Sequence, residues 1–392
     1  MGGGDSPAGR SLFIAGMMVL ALSAVSSVGW AGTAHAVTGS AYRWGVFAGH
    51  QEATEPVAIA GPSPVTALAA ANASTMELTA SGTVEVWGDG EHDDLGQRKV
   101  IVELTSAERV PVPGTVVAIG ESMDTDVAVT STGAVYGWGY DNEGELCLGN
   151  TKQKLSPVAL PLTGVVMAAG GGGHMEYLLS NGTLAGCGTD RHGQLCDGRT
   201  TPTDDTATTP ELAMLPAPIA SISAGNNTTA ALLTDGEVWE CGVNNHGQLG
   251  NGTLANSDTF TRVRLPGPAA SVYAGGDGIH DGSALALLTN GAVYGWGDDN
   301  DGQLGNGSTA TAVKRPVKAS ALPSGETWAA VAVGGTTSFV LSSTGDLYDF
   351  GNNAEGQAGI GSSEGAVLTP TKILAGVSMV RATSSNVAAY VS

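Results

Sequence analysis

Four cysteines, Cys147, Cys187, Cys196 and Cys241, carry the plainest chemistry in this chain, because paired thiols oxidise to disulfides. Cys147 and Cys196 each follow a leucine, Leu146 and Leu195, whereas Cys187 and Cys241 each precede a glycine, Gly188 and Gly242. Of the three possible connectivities, only Cys147 to Cys187 with Cys196 to Cys241 uses one geometry twice. Such pairs persist in an oxidising compartment, and closing loops of about 40 residues would stabilise the fold by up to about 4 kcal/mol each on the chain-entropy estimate. The competing reading is four buried thiols that act as small hydrophobes.

Other constellations offer less. Asp298-Asp299-Asn300-Asp301-Gly302 resembles part of a calcium loop, but placing its glycine at the sixth position puts Gly297 at the first ligand and Ser308 at the twelfth, both wrong residue types. The same phase recurs in Asp141-Asn142-Glu143-Gly144 and Asn244-Asn245-His246-Gly247, so the expectation is a solvated turn between strands. His192 and His246 share one repeat position and read as structural consensus, not as a catalytic pair. Gly170 to Gly173 precede His174, yet no Lys-Ser/Thr follows and no helix is expected, which argues against a phosphate cradle. No nucleophile, base and acid fall into a catalytic arrangement. The chain is read as a non-enzyme with neither cofactor nor metal.

The elements that position these residues are strands in a repeat. Seven times an apolar run ends in an aromatic residue or cysteine followed by glycine: Trp44-Gly45, Trp87-Gly88, Trp138-Gly139, Cys187-Gly188, Cys241-Gly242, Trp296-Gly297 and Phe350-Gly351. From the second copy onward a turn of constant length leads to Leu95, Leu146, Leu195, Leu249, Leu304 or Ala358. The period, about 50 residues, suits a unit of several short strands and exceeds that of leucine-rich or helical-hairpin repeats. Within a unit, Ala230-Ala231-Leu232-Leu233-Thr234 is closed by a hairpin turn at Asp235-Gly236, after which Glu237 to Cys241 alternates with period two. The expectation is all-β: a seven-bladed β-propeller of four-stranded antiparallel blades, a ring that leaves only short sheet edges.

The chain resembles the regulator of chromosome condensation repeat family, whose blades carry an aromatic-Gly pair, an Asn-rich turn and a Gly-Gln-Leu-Gly segment. The match is specific at Gly193-Gln194-Leu195, Gly247-Gln248-Leu249-Gly250 and Gly302-Gln303-Leu304-Gly305. It degrades at Gly356-Gln357-Ala358-Gly359 and Asp93-Asp94-Leu95-Gly96, and fails after Trp44-Gly45. Kelch propellers have a similar period, but no repeated Gly-Gly doublet followed by aromatics appears here. The tail from Val377 to Tyr390 matches the two strands that precede an aromatic-Gly strand, and the missing third strand is at Ala41 to Gly45. The two termini are therefore expected to share one blade and close the ring.

Residues 1–36 are set apart. Arg10, the uncharged stretch from Ser11 to Gly32, and Ala34-His35-Ala36 read as a secretory signal peptide cleaved after Ala36, leaving a propeller over 37–392. The alternative is an uncleaved membrane anchor, since the apolar stretch is long enough to span. No cysteine precedes Cys147, which excludes a lipoprotein anchor.

The net charge is −21, with 16 Lys and Arg against 37 Asp and Glu, and no basic tail. Such a surface argues against nucleic acid, nucleosomes and anionic lipid as partners. The resemblance implies chromatin binding and small-GTPase exchange for the family's nuclear founder, but an acidic, tail-less, exported copy is not expected to inherit that role. The favoured expectation is a secreted, monomeric interaction scaffold whose partner is a protein or cell-envelope component with a basic surface. The second is a secreted inhibitor, because Trp44-Gly45 followed by Glu52-Ala53-Thr54-Glu55-Pro56 looks like the short blade of propeller-type β-lactamase inhibitory proteins.

A four-stranded meander brings the loop before the second strand and the loop after the third to one end of the ring. That end is expected to hold the partner-binding residues Phe47, Tyr140, Asn142, Asn245, Asp277, His280, Asp281, Asp299 and Asn300, around an insertion at Gly276 to Gly282 found in a single copy of the repeat. The opposite end is expected to carry the longer connectors, with Thr200 to Pro218 as ordinary linker.

Overall fold

The computed structural model describes residues 40–47, 51–59, 64–70, 74–89, 95–97, 103–199, 206–276, 282–322, 326–363, 365–382 and 386–391. The signal segment expected over 1–36 lies outside them. The described residues form strands and turns without a helix, in seven four-stranded antiparallel sheets. In each sheet the chain runs outward from an inner strand, as in Ile219–Ala224, Thr228–Leu233, Val238–Gly242 and Ser257–Arg262 of the fifth blade.

One sheet joins the ends of the chain. Gln51–Ile59 pairs with Ser40–Phe47, which pairs with Asn386–Val391, which pairs with Val377–Ala382. The first two strands of this blade come from the C-terminus and the last two from the N-terminus, as the repeat phase predicts.

The aromatic-Gly signature marks a β-bulge. In the pairing of third and outer strands the register shifts between Gly295 and Gly297, Glu240 and Gly242, Gly186 and Gly188, and Asp349 and Gly351. The second member of the pair takes a left-handed φ, 100° at Gly297 and 106° at Gly242, which costs glycine nothing. The bulge turns the first member out of its own blade and against the preceding one. Trp138 packs with Leu95 and Val110 of the second blade, Trp296 with Val238 and Val263 of the fifth, and Trp44 with Phe339 of the seventh at a ring separation of 6.0 Å. The core is thus a ring of inter-blade seams.

The same seam fixes the glycine after the leucine. A Cβ on Gly250 would stand 3.0 Å from the Trp296 ring, one on Gly305 2.8 Å from Phe350, and one on Gly359 2.7 Å from Trp44. Between the third and fourth blades, and between the fourth and fifth, both partners of this contact are cysteine. Cys147 is joined to Cys187 with Cα atoms 5.5 Å apart, and Cys196 to Cys241 with Cα atoms 5.7 Å apart, leaving no free thiol.

Two expectations need correction. Thr200 to Pro218 is not linker throughout: Thr206–Ala213 within it is the outer strand of the fourth blade, a position where Thr and Pro are tolerated because one edge faces solvent. Consequently the longer connectors, such as 243–256, lie on the same end of the ring as the glycine-led loops, and the opposite end carries short links such as 214–218 and 263–268.

Candidate functional site

The end of the ring that bears the long connectors is built from one turn, repeated. Its first residue points inward and accepts the backbone N–H of the leucine position five residues on. Asp141 accepts from Leu146 at 2.9 Å, Asp190 from Leu195 at 2.9 Å, Asn244 from Leu249 at 2.9 Å, Asp299 from Leu304 at 3.0 Å and Asn353 from Ala358 at 3.1 Å. The glutamine of Gly-Gln-Leu performs a second closure: Gln194, Gln248, Gln303 and Gln357 accept from the N–H of His192, His246, Asp301 and Glu355. The glutamine carbonyl then receives the next blade, from Trp296 Nε1 to Gln248 at 2.8 Å and from Trp44 Nε1 to Gln357 at 3.0 Å. The two histidines supply turn backbone, in line with their shared repeat position.

Because the first residue is turned in, the second is turned out. Asn142, Arg191, Asn245, Asn300 and Ala354 are all exposed at the tips of their turns, with Tyr140 beside them 39% exposed. Among the described residues, five tips, three Asn, one Arg and one Ala, thus project from one scaffold on one end of the ring.

Asp299 does not belong to that surface. It is fully buried, with Oδ1 on the Leu304 N–H and Oδ2 accepting from Asn306 Nδ2 at 3.1 Å. Burial pushes its carboxyl up to about 6, and does the same for Asp141 and Asp190. The turn is therefore not the solvated one its composition suggests; its first acidic residue is a structural cap. Asn142 lies on the third blade, Asn245 on the fifth and Asn300 on the sixth, so the expected face is a rim and not one cluster. Asp277, His280 and Asp281 fall outside the described residues, and of Phe47 only its place at the end of Ser40–Phe47 is described.

Inside the rim, the glycine-led loops circle the propeller axis. Met123 N–H donates to the Gly171 carbonyl, Gly172 N–H to Asn226 and Gly276 N–H to Gly334, each bond crossing from one blade to the next. A Cβ on Gly170 would stand 2.2 Å from the Glu121 carbonyl oxygen and one on Gly275 2.3 Å from that of Gly334, so only glycine permits this approach. Gly171 and Gly172 spend their N–H groups on His174 and Asn226, which leaves no phosphate cradle there. His174 is buried, its Nε2 3.1 Å from Thr229 Oγ1, and burial lowers its pKa to about 4, so it is neutral at pH 7.

Three residues on the axis were not singled out from the sequence: Glu121, Tyr273 and Arg381, which line one cavity from three different blades. The signal was available by superposing the inner strands. The fifth position of each is Ala69, Gly120, Ala169, Ser223, Tyr273, Ala332 or Arg381, so two copies break a run of small residues.

The model of the Regulator of chromosome condensation (RCC1) repeat matches residues 132–175, 235–278 and 290–341, and a second model of that repeat matches 219–248. Among curated proteins, the protein RCC2 homolog of Xenopus laevis is 34% identical over 143 residues, 36% of this chain and 27% of that protein. The ultraviolet-B receptor of Arabidopsis thaliana is 28% identical over 276 residues, 67% of this chain and 61% of the receptor. The matched region is thus less than two thirds of either relative. Yeast RCC1 (Prp20), solved in complex with Kap60, superposes with a TM-score of 0.80 at 20% identity over 100% of this chain and 95% of that one, a likeness of fold.

Proposed function

Because this chain is a seven-bladed propeller of regulator of chromosome condensation repeats, we propose that it is an exported, non-catalytic scaffold that binds a protein or cell-envelope component through the rim of turn tips. The observation that carries the reading is the division of labour within each turn: the first residue, turned in, holds the backbone, and the second, exposed at the tip, differs between blades from Asn to Arg to Ala. Yeast RCC1 (Prp20), which shares this fold, is solved bound to another protein, Kap60, and protein binding is therefore a use known for a protein of this architecture. Export is supported by the pattern of residues 1–36 and by two disulfides, which persist outside reducing compartments. The net charge of −21 favours a partner with a basic surface, and a monomer suffices for this role.

Affinity capture from the secreted and envelope proteome of the source organism tests this, with wild type beside the triple variant Asn142→Ala, Asn245→Ala, Asn300→Ala. The expected result is a partner retained by wild type at low salt, weakened by added salt, and lost by a triple variant that still melts cooperatively. Equal capture by both proteins would remove the rim from consideration.

A further inference from the structure

Arg381 sits on the inner strand Val377–Ala382 of the closing blade, and its side chain crosses the bore of the propeller. Its Nε donates to the Leu68 carbonyl of the next blade at 3.1 Å, and its guanidinium carbon lies 5.2 Å from the centre of the Tyr273 ring, which arrives from the sixth blade. The residue is 4% exposed, and neither Nη1 nor Nη2 has a hydrogen-bond partner within the protein. A buried guanidinium with two unanswered nitrogens is costly unless an anion meets it.

The space for that anion is beside it. The register position that places Arg381 and Tyr273 on the axis is occupied in the other blades by Ala69, Gly120, Ala169, Ser223 and Ala332, and the missing side chains leave a cavity of about 150 Å³. A cavity of that size holds a molecule no larger than about benzene. Ala69, Gly120, Ala169 and Ser223 line it together with Arg381 and Tyr273. Glu121 also lines it, yet accepts no hydrogen bond from either Nη of Arg381. The cavity therefore offers the two open donors of Arg381, a ring, small walls and little room, with the Glu121 carboxyl also in its lining.

We propose that this axial cavity binds a small carboxylate, whose two oxygens take Nη1 and Nη2 of Arg381 while its short apolar remainder lies against the Ala and Gly walls. Planar two-point pairing is what a guanidinium provides and an ammonium does not. The small apolar walls favour an organic acid over sulfate or phosphate. A free acid and the end of a peptide both supply such a carboxylate, and the two sources differ in whether acetate alone suffices.

The test uses the mature protein with ¹⁵N-labelled arginine, titrated with sodium acetate, with sodium sulfate, and with a short peptide ending in a free carboxylate, each against sodium chloride at matched ionic strength. The Arg381 resonances are assigned by their loss in Arg381→Lys. A saturable shift of those resonances with acetate identifies a free acid as sufficient; a shift with the peptide alone places the carboxylate on a chain end. Either should be accompanied by a rise in melting temperature over the chloride control that is reduced in Arg381→Lys. The proposal is overturned if acetate and peptide both leave the resonances where chloride does, or if sulfate shifts them as strongly as either. If Arg381→Lys fails to fold, Tyr273→Ala, which removes the ring 5.2 Å from the guanidinium, assigns the resonances by their change of shift, and the wild-type titration then decides the matter.

Discussion

Cys147 is bonded to Cys187 across the same blade contact that Gly250 and Trp296 make two seams further round the ring. Cys147 and Cys196 are the only non-glycine residues with a left-handed φ among the described residues, at 58° and 56°, and they stand where other blades place Gly96, Gly250, Gly305 and Gly359. A Cβ is tolerated there because the aromatic ring it would strike has itself been replaced by cysteine.

Replacing Cys147 should therefore depend on the substitute. Cys147→Gly loses the disulfide, costing up to about 4 kcal/mol. Cys147→Ala loses the disulfide and keeps the left-handed strain, so it should be less stable than the glycine variant by about 1 kcal/mol. Adding Cys187→Trp to Cys147→Gly rebuilds the contact of the other seams and should recover part of the loss. Denaturant unfolding of the three variants measures this, and glycine and alanine variants of equal stability would show that the backbone strain is not felt.

At Asp299, the side chain's two bonds to Leu304 and Asn306 should make Asp299→Ala destabilising by about 2 kcal/mol. Asp299→Asn should cost less, about 1 kcal/mol, because it keeps the bond to Leu304, as Asn244 and Asn353 do in the fifth and seventh blades, and loses only the acceptor for Asn306 Nδ2. An alanine variant as stable as wild type in thermal unfolding would mean that this cap is redundant.

Stability should rise as pH falls from 8 to 6.5. Burial pushes Glu240 and Glu145 up to about 8 and Glu77 up to about 7, against an ordinary value of 4.5. A carboxyl raised on folding stabilises fully below its unfolded value, and that contribution is lost as pH rises through the folded value. Below about 6.5 the neutral, buried His174 opposes the trend, since the unfolded imidazole begins to take up protons there. Glu240→Gln, whose amide oxygen can still receive Trp296 Nε1, should flatten the slope between pH 8 and 6.5. Urea midpoints across that window give the reading, and an unchanged slope in Glu240→Gln would assign the effect elsewhere.

Deleting residues 379–392 takes most of the inner strand and all of the second strand from the closing blade, leaving Ser40–Phe47 without its inner neighbour. The product should be insoluble, or compact without a cooperative melt. Calorimetry of any soluble fraction decides it, and an unaltered transition would mean the tail is not needed for closure.

The sequence disclosed most where the chain could be compared with itself. The sevenfold strand phase, the shared closing blade and the cysteine pairing all follow from repeat phase, because a position filled in one copy predicts its partner in the next. What phase does not reveal is direction. Asp299 reads as solvated because acidic turns usually are, and only its bond to the Leu304 N–H shows that it is turned inward. Thr206–Ala213 was hidden by its Thr- and Pro-rich composition, which suits an outermost strand as well as a linker. Arg381 was passed over as one charge in an apolar strand, although its counterparts are all small except Tyr273.

The pairing of Ser40 with Val391 gives the molecule a polarity. Both residues lie where the other blades make their tight hairpin, as at Asp235-Gly236, and that is the end of the ring opposite the turn tips. Ser40 and Val391 thus both stand at the back of the ring. A copy tethered to a surface by either end would hold its rim of tips outward, and a copy fused to another domain would keep that rim clear of its neighbour.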